Sequence, residues 1–166
     1  MGAGKSRAMQ WLHRRGYFPL DSFVAVDPDR IRYALPEWRL YLARNRTTAG
    51  ALTHKEAGYI AELLTLDGLA QGKNVLVDGS LRDAAWHAGL FRRIRRDHPA
   101  TRIAVIYCRA RPDTVLARAE RRAEETGRGI PRHVLLETMA QVPRAVEALR
   151  PLVDQFVELD TDGASP

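Results

Sequence analysis

Apolar residues fall along this chain in two rhythms. Compact β-branched or aromatic runs at 23–26, 74–77, 102–107 and 155–159 predict strands, and between them the apolar spacing lengthens to the three and four of a helix. Thr53 and Glu56 have capping-box spacing ahead of a helix in which Ala57, Ile60, Ala61 and Leu64 share a face, ending near Gln71, Gly72 and Lys73. Asp83 is placed to cap the next helix, where Trp86, Leu90 and Ile94 recur at helical spacing until Pro99. Pro112 can open a third, with Val115, Leu116 and Ala119 inward, and Val142, Val146, Leu149 and Val153 mark the last long one. Strands alternating with helices predict an α/β fold: a mostly parallel sheet with helices on both faces.

Size and composition narrow this further. A chain of 166 residues with 45% apolar content can bury a core as one domain, read as residues 1–160 with a polar, flexible tail at 161–166. No run of about 18 apolar residues offers a membrane span and no signal core opens the chain, which gives a cytoplasmic reading. Cys108 is the only cysteine and the five histidines lack ligand spacing, which excludes a disulfide framework and argues against a structural zinc site.

The net charge of +6 is carried mainly by arginine, since Lys5, Lys55 and Lys73 are the only lysines among 26 basic residues; such a surface suits polyanions. Arg92, Arg93, Arg95 and Arg96 cluster on one predicted helix and raise the possibility of nucleic-acid binding. They lie opposite Trp86, Leu90 and Ile94 with no aromatic residue interleaved for base stacking, which favours a solvated helix face.

Chemistry concentrates at the start. Gly2, Ala3, Gly4, Lys5 and Ser6 supply the second half of the phosphate-loop pattern G-x-x-x-x-G-K-[ST], and with Arg7 they run into a helix ending around Arg15 and Gly16. In such a loop the glycines turn backbone N–H groups toward phosphate oxygens, Lys5 reaches the terminal phosphates, and Ser6 ligates the Mg²⁺ carried by ATP. The pattern's first glycine and the strand that feeds the loop would precede Met1, so the sequence reads as truncated at its N-terminus or as starting late.

Three further clusters follow in phase. Asp27 and Asp29 stand just beyond the first predicted strand, where open α/β sheets bind ligands and where a carboxylate can take the proton of an attacking hydroxyl; the alternative role is a helix-capping Asp-Pro turn. Asp78, Gly79, Ser80, Leu81 and Arg82 end the second strand, with Asp78 able to meet metal, water or substrate, or else to form a strand-to-helix turn capped by Ser80 or Asp83. Arg118, Arg121, Arg122 and Arg128 flank a glycine-bearing segment that could close as a lid over phosphates.

Taken in this order, the clusters resemble the zeta-toxin family of P-loop kinases over almost the whole chain. The resemblance implies a strand order 2-3-1-4-5 with the first strand missing, ATP and Mg²⁺ as cofactors, and a UDP-activated amino sugar such as UDP-N-acetylglucosamine as acceptor. It implies a small helical antitoxin as a partner. Residue by residue, it implies Lys5 and Ser6 as the phosphate-loop pair, Asp29 as catalytic base, Glu62, Asp78, Ser80 and Arg82 at the substrate, and Arg121 and Arg128 as lid arginines, with Arg118 an alternative for the first of these; Asp27, by its strand-end position, is placed to orient the acceptor or the metal. Asp78 and Ser80 stand where the family has glutamate and threonine, so chemistry transfers better than substrate. A small-metabolite, nucleoside or antibiotic kinase on the same scaffold is the nearest alternative. Outside enzymes, the alternatives are a basic nucleic-acid-binding protein and an inactive nucleotide-binding fragment.

Overall fold

A computed structural model describes residues 2–45, 48–126 and 130–162. Along the chain, helix α1 (Lys5–Arg14) precedes strand β1 (Phe23–Val26), the short helices α2 (Pro28–Ala34), α3 (Trp38–Arg44) and α4 (Ala49–Leu52), and the long α5 (His54–Ala70). Strand β2 (Asn74–Val77), α6 (Ala84–Asp97), β3 (Ala104–Arg109), α7 (Pro112–Thr126), α8 (Arg132–Leu149) and β4 (Gln155–Asp160) follow. The chain divides into two compact units, one of residues 21–79 and the other of residues up to Leu20 with those from Ser80 onward.

In the unit of residues 21–79, β1 and β2 pair in parallel with Val26 opposite Val77, and the ladder continues as Asp78 N donates to Val26 O at 2.9 Å. Helix α5 packs on this pair through small residues, with Ala57, Ala61, Thr65 and Gly68 buried. A Cβ on Gly68 would stand 2.9 Å from Val75 Cγ2, so the helix lies as close to the strand as its side chains permit. Ile60 is only half-buried and Leu64 is exposed, because the inward stripe follows these small residues and leaves Leu64 on the outer face.

The expected capping box at Thr53 does not form. α4 runs almost directly into α5, so Thr53 is buried mid-path and its hydroxyl donates back to Ala49 O at 2.9 Å. Asp83, by contrast, caps α6 as expected, its Oδ1 accepting from Trp86 N at 2.9 Å.

In the other unit, β3 and β4 pair in parallel from Ala104–Gln155 to Arg109–Asp160. The strand begins two residues later than the apolar run suggests. Ile103 N donates to Asp154 Oδ2 at 2.7 Å and Ile103 O accepts from Asp154 N at 2.8 Å, which uses these groups in a corner before the ladder starts. α6 and α8 pack together, with Leu90, Phe91, Ile94, Leu135, Val146 and Leu149 buried. Val153 lies beyond α8, past a single 3₁₀ turn at Arg150–Leu152.

The parallel strands thus form two pairs, β1 with β2 and β3 with β4, where the sequence predicts one sheet. They correspond to the neighbours 2-3 and 4-5 that the resemblance implies. The polar stretch from Asp160 is held further than its composition suggests. Asp160 ends the ladder, Thr161 N donates to Arg109 O at 2.8 Å, and Asp162 Oδ2 accepts from Arg111 N at 2.5 Å.

Candidate active site

The sequence-derived candidates fall into two groups, one in each unit. Gly2, Ala3, Gly4, Lys5, Ser6, Arg7, Ser80, Arg82, Arg118 and Arg121 belong to one; Asp27, Asp29, Glu62 and Asp78 belong to the other. Arg128 lies outside the described residues, as do its neighbours Gly127 and Gly129.

Gly2 and Gly4 adopt φ values of 72° and 73°, left-handed conformations that L side chains rarely accept. Space forbids a side chain at Gly2 as well, since a Cβ there would come within 2.7 Å of Val115 O on α7. Gly4 is the N-cap of α1, and the first helical bond runs from Ala8 N to Gly4 O at 2.9 Å. Glycine offers no capping side chain and the first turn of α1 holds no acid, so the positive end of the helix dipole is not neutralised from within its own turn. This is a cradle suited to phosphate oxygens. Lys5 is half-buried and Ser6 exposed at its rim.

Arg118 on α7 reaches into this loop. Its Nη1 donates to Gly2 O at 3.4 Å and to Thr161 Oγ1 at 3.3 Å, and its Nη2 donates to Thr161 O at 2.7 Å. Thr161 Oγ1 lies 2.9 Å from Ala3 O and 3.0 Å from Arg109 O, within donating reach of both. Arg121, one turn along α7, is exposed. The sequence left open which of the two belongs to the phosphates; the fold puts Arg118 against the loop's backbone.

In the other unit the parallel register sets Asp27 and Asp78 at the C-terminal ends of adjoining strands. Asp27 is the N-cap of α2, its Oδ1 accepting from Asp29 N at 2.9 Å and Arg30 N at 3.3 Å. Asp29, in the first turn of α2, has its side chain 64% exposed, and its Oδ1 is 3.0 Å from Arg32 Nη1. The Arg32 side chain is only 16% exposed and stacks over Trp38 at 5.9 Å. Its Nε is shut off from solvent with no acceptor among the described residues. The i,i+3 spacing of Asp29 and Arg32 was present in the sequence, as was Thr161, yet neither partner carries a motif that marks it.

Glu62 sits on α5, eight residues before Ala70. The chain reverses through 71–73 into β2, so Glu62 lies about 12 Å back along the helix from Ala70, against about 13 Å of strand from Asn74 to Asp78. The two acids are therefore at similar heights on packed elements. Ser80 is half-buried and does not cap α6, a role taken by Asp83.

Other residues are absorbed by packing. His87 is buried on α6 against Trp86, with its Nδ1 donating to Asp83 O at 2.7 Å, and burial pushes its pKa below the usual histidine value against the opposing pull of Asp83. Cys108 is buried in β3. Of the α6 arginines, Arg93 and Arg96 face Asp97 and Arg95 faces Asp154. No group of three or more acids, histidines or cysteines suited to a metal occurs among the described residues.

An α/β fold of short parallel strands, opened by a helix that left-handed glycines lead into, is that of a P-loop kinase-like protein. The sequence model of the zeta toxin family matches residues 1–161, and the chain belongs to that family. Membership implies a kinase-like phosphotransferase that uses a nucleotide and a metal ion and acts on a small molecule. No curated protein matches the chain. No helix among the described residues is long and apolar enough to cross a membrane.

Proposed function

We propose that this protein transfers the γ-phosphate of ATP to a hydroxyl of a UDP-activated amino sugar, with UDP-N-acetylglucosamine the first candidate acceptor. The observation that carries the ATP assignment is the opening of α1, where Gly2 and Gly4 are left-handed and no acid occupies the first turn. The acceptor assignment rests on the family and on the acids grouped in residues 21–79.

Gly2, Ala3, Gly4, Lys5, Ser6 and Arg7 hold the nucleotide, and Ser6 supplies a protein ligand to its Mg²⁺. When bound, that ion would supply positive charge against the phosphate oxygens. Asp29 takes the proton of the attacking hydroxyl, with Arg32 restricting where its carboxylate can point. Asp27, Glu62, Asp78, Ser80 and Arg82 orient the acceptor, while Arg121 and Arg128 close over the phosphates. Asp27 already spends one carboxylate oxygen on the cap of α2, so its substrate role falls to the other.

The test is ADP release from Mg²⁺-ATP with and without UDP-N-acetylglucosamine, with mass spectrometry of the sugar nucleotide. Acceptor-dependent ADP and a product heavier by one phosphoryl group support the assignment. ADP release with other hydroxyl acceptors and none with the sugar nucleotide keeps the kinase and replaces the acceptor. Lys5→Ala should weaken nucleotide binding and turnover together, read by titration and initial rate. An unchanged nucleotide affinity would remove Lys5 from the site.

A further inference from the structure

The phosphate loop is fastened from behind by residues that no phosphate-binding motif contains. Thr161 follows the last pair of the β3–β4 ladder, and its backbone is fixed by its N–H bond to Arg109 O at 2.8 Å. That placement points its hydroxyl at the loop, 2.9 Å from Ala3 O. Arg118 closes the figure from α7, donating to Thr161 O at 2.7 Å, to Thr161 Oγ1 at 3.3 Å and to Gly2 O at 3.4 Å. Two consecutive loop carbonyls, those of Gly2 and Ala3, thus lie within reach of donors, the one Thr161 hydroxyl proton being shared between Ala3 O at 2.9 Å and Arg109 O at 3.0 Å.

We infer that Thr161, cross-linked by Arg118, is a positioning residue that fixes the phosphate loop in its binding shape before nucleotide arrives. This rests on the nucleotide-site reading above and deepens it.

The physical case is one of direction. A peptide whose C=O is held on one side must turn its neighbouring N–H groups another way, and a loop binds phosphate through N–H groups. Gly2 and Gly4 are free enough in φ to lose that arrangement, so an external restraint is needed where side-chain sterics give none. Ordering that is already present in the empty loop need not be supplied when nucleotide binds, which raises affinity without a new contact to the ligand. A Cβ on Gly4 would sit 3.3 Å from Arg118 Nη1 and 3.4 Å from Thr161 Oγ1, so the brace closes around the loop at van der Waals distance.

The decisive variants are Thr161→Val, which keeps the shape and deletes the hydroxyl, and Thr161→Ser, which keeps the hydroxyl. The first readout needs no nucleotide: amide exchange by NMR at Ala8, whose N–H bonds to Gly4 O. Exchange at Ala8 should quicken about three- to tenfold in Thr161→Val, the worth of one hydrogen bond, and stay near wild type in Thr161→Ser. The second is kinetic: KM for Mg²⁺-ATP should rise by a similar factor while KM for the acceptor holds.

Equal Ala8 exchange in wild type and Thr161→Val overturns the inference, as does an equal loss in Thr161→Ser. A parallel rise in both KM values also overturns it, since a general loosening would do that. Should Thr161→Val show no cooperative melt, Arg118→Gln takes its place in the exchange experiment: quicker exchange at Ala8 supports the brace, and exchange equal to wild type overturns it. A wild-type protein that does not bind ATP would end the nucleotide reading and with it the inference's purpose, yet the Ala8 exchange would still decide whether the brace exists.

Discussion

At the scale of the residue, Asp29 and Asp27 stand in different surroundings despite their shared Asp-x-Asp spacing. Asp27 spends one oxygen on the N–H groups of Asp29 and Arg30, which orients α2, while Asp29 remains 64% exposed beside Arg32. Asp29→Asn should therefore cut phosphoryl transfer by roughly 10² to 10⁴ while nucleotide affinity, measured by titration, stays close to wild type. A comparable kcat in the mutant would remove Asp29 as base. The residue types and their strand-end position were legible in the sequence because a motif spaces them. Arg32 and Thr161 were not, since one is an unremarkable helix arginine and the other a threonine in a polar tail. Only the fold brings Thr161 within hydrogen-bond reach of Ala3, a chain separation that no local pattern encodes.

At the scale of the element, periodicity located every described strand and found Ala57 and Ala61 on the inner face of α5, but it carried that face too far toward Leu64. The sequence offers Ala57, Ile60, Ala61 and Leu64 as one inward face; the structure buries Ala57 and Ala61 and continues through Thr65 and Gly68, because close approach to β2 demands small side chains. Two glycines on this helix give opposite predictions. At Gly58 a Cβ meets nothing within 4 Å, so Gly58→Ala should stabilise by about 0.5 to 1 kcal/mol through helix propensity. At Gly68 the same methyl would press on Val75, a stiff β-branched side chain, and overpacking of about 1 to 3 kcal/mol should exceed the propensity gain. Urea midpoints of the two variants moving the same way would contradict this packing. Asp83→Ala tests the cap that the sequence did identify: loss of the bond to Trp86 N should cost about 1 kcal/mol in the same titration.

At the scale of the whole molecule, the sequence foresaw α/β alternation and parallel pairing but could not foresee where hydrogen bonding between strands stops, because register and neighbour choice depend on contacts remote in the chain. Ionisable groups with shifted pKa values, one of them buried, set an acid response in two stages. His87 has its pKa lowered chiefly by burial from an ordinary 6.5. Between that value and its folded one only the unfolded chain takes up the proton, so stability falls as pH falls across the window. Asp154 and Asp162 act lower. The Ile103 N–H and then Arg95 hold Asp154 below the ordinary 3.8, and the Thr114 hydroxyl holds Asp162 there, with the Arg111 N–H adding to it. Their stabilisation is present above 3.8 and is lost as pH drops through the folded values. Urea unfolding at about pH 7.5, 5.5 and 3.5 should show a first loss by the middle value and a further one by the lowest. His87→Phe should remove the first and keep the second. Asp154→Asn should keep the first and shrink the second to what Asp162 contributes, because it frees β3's entry corner of its titrating carboxylate while leaving His87 to charge inside α6. A wild-type profile that is flat over the upper half of that range would mean that His87 takes its proton without leaving its buried site.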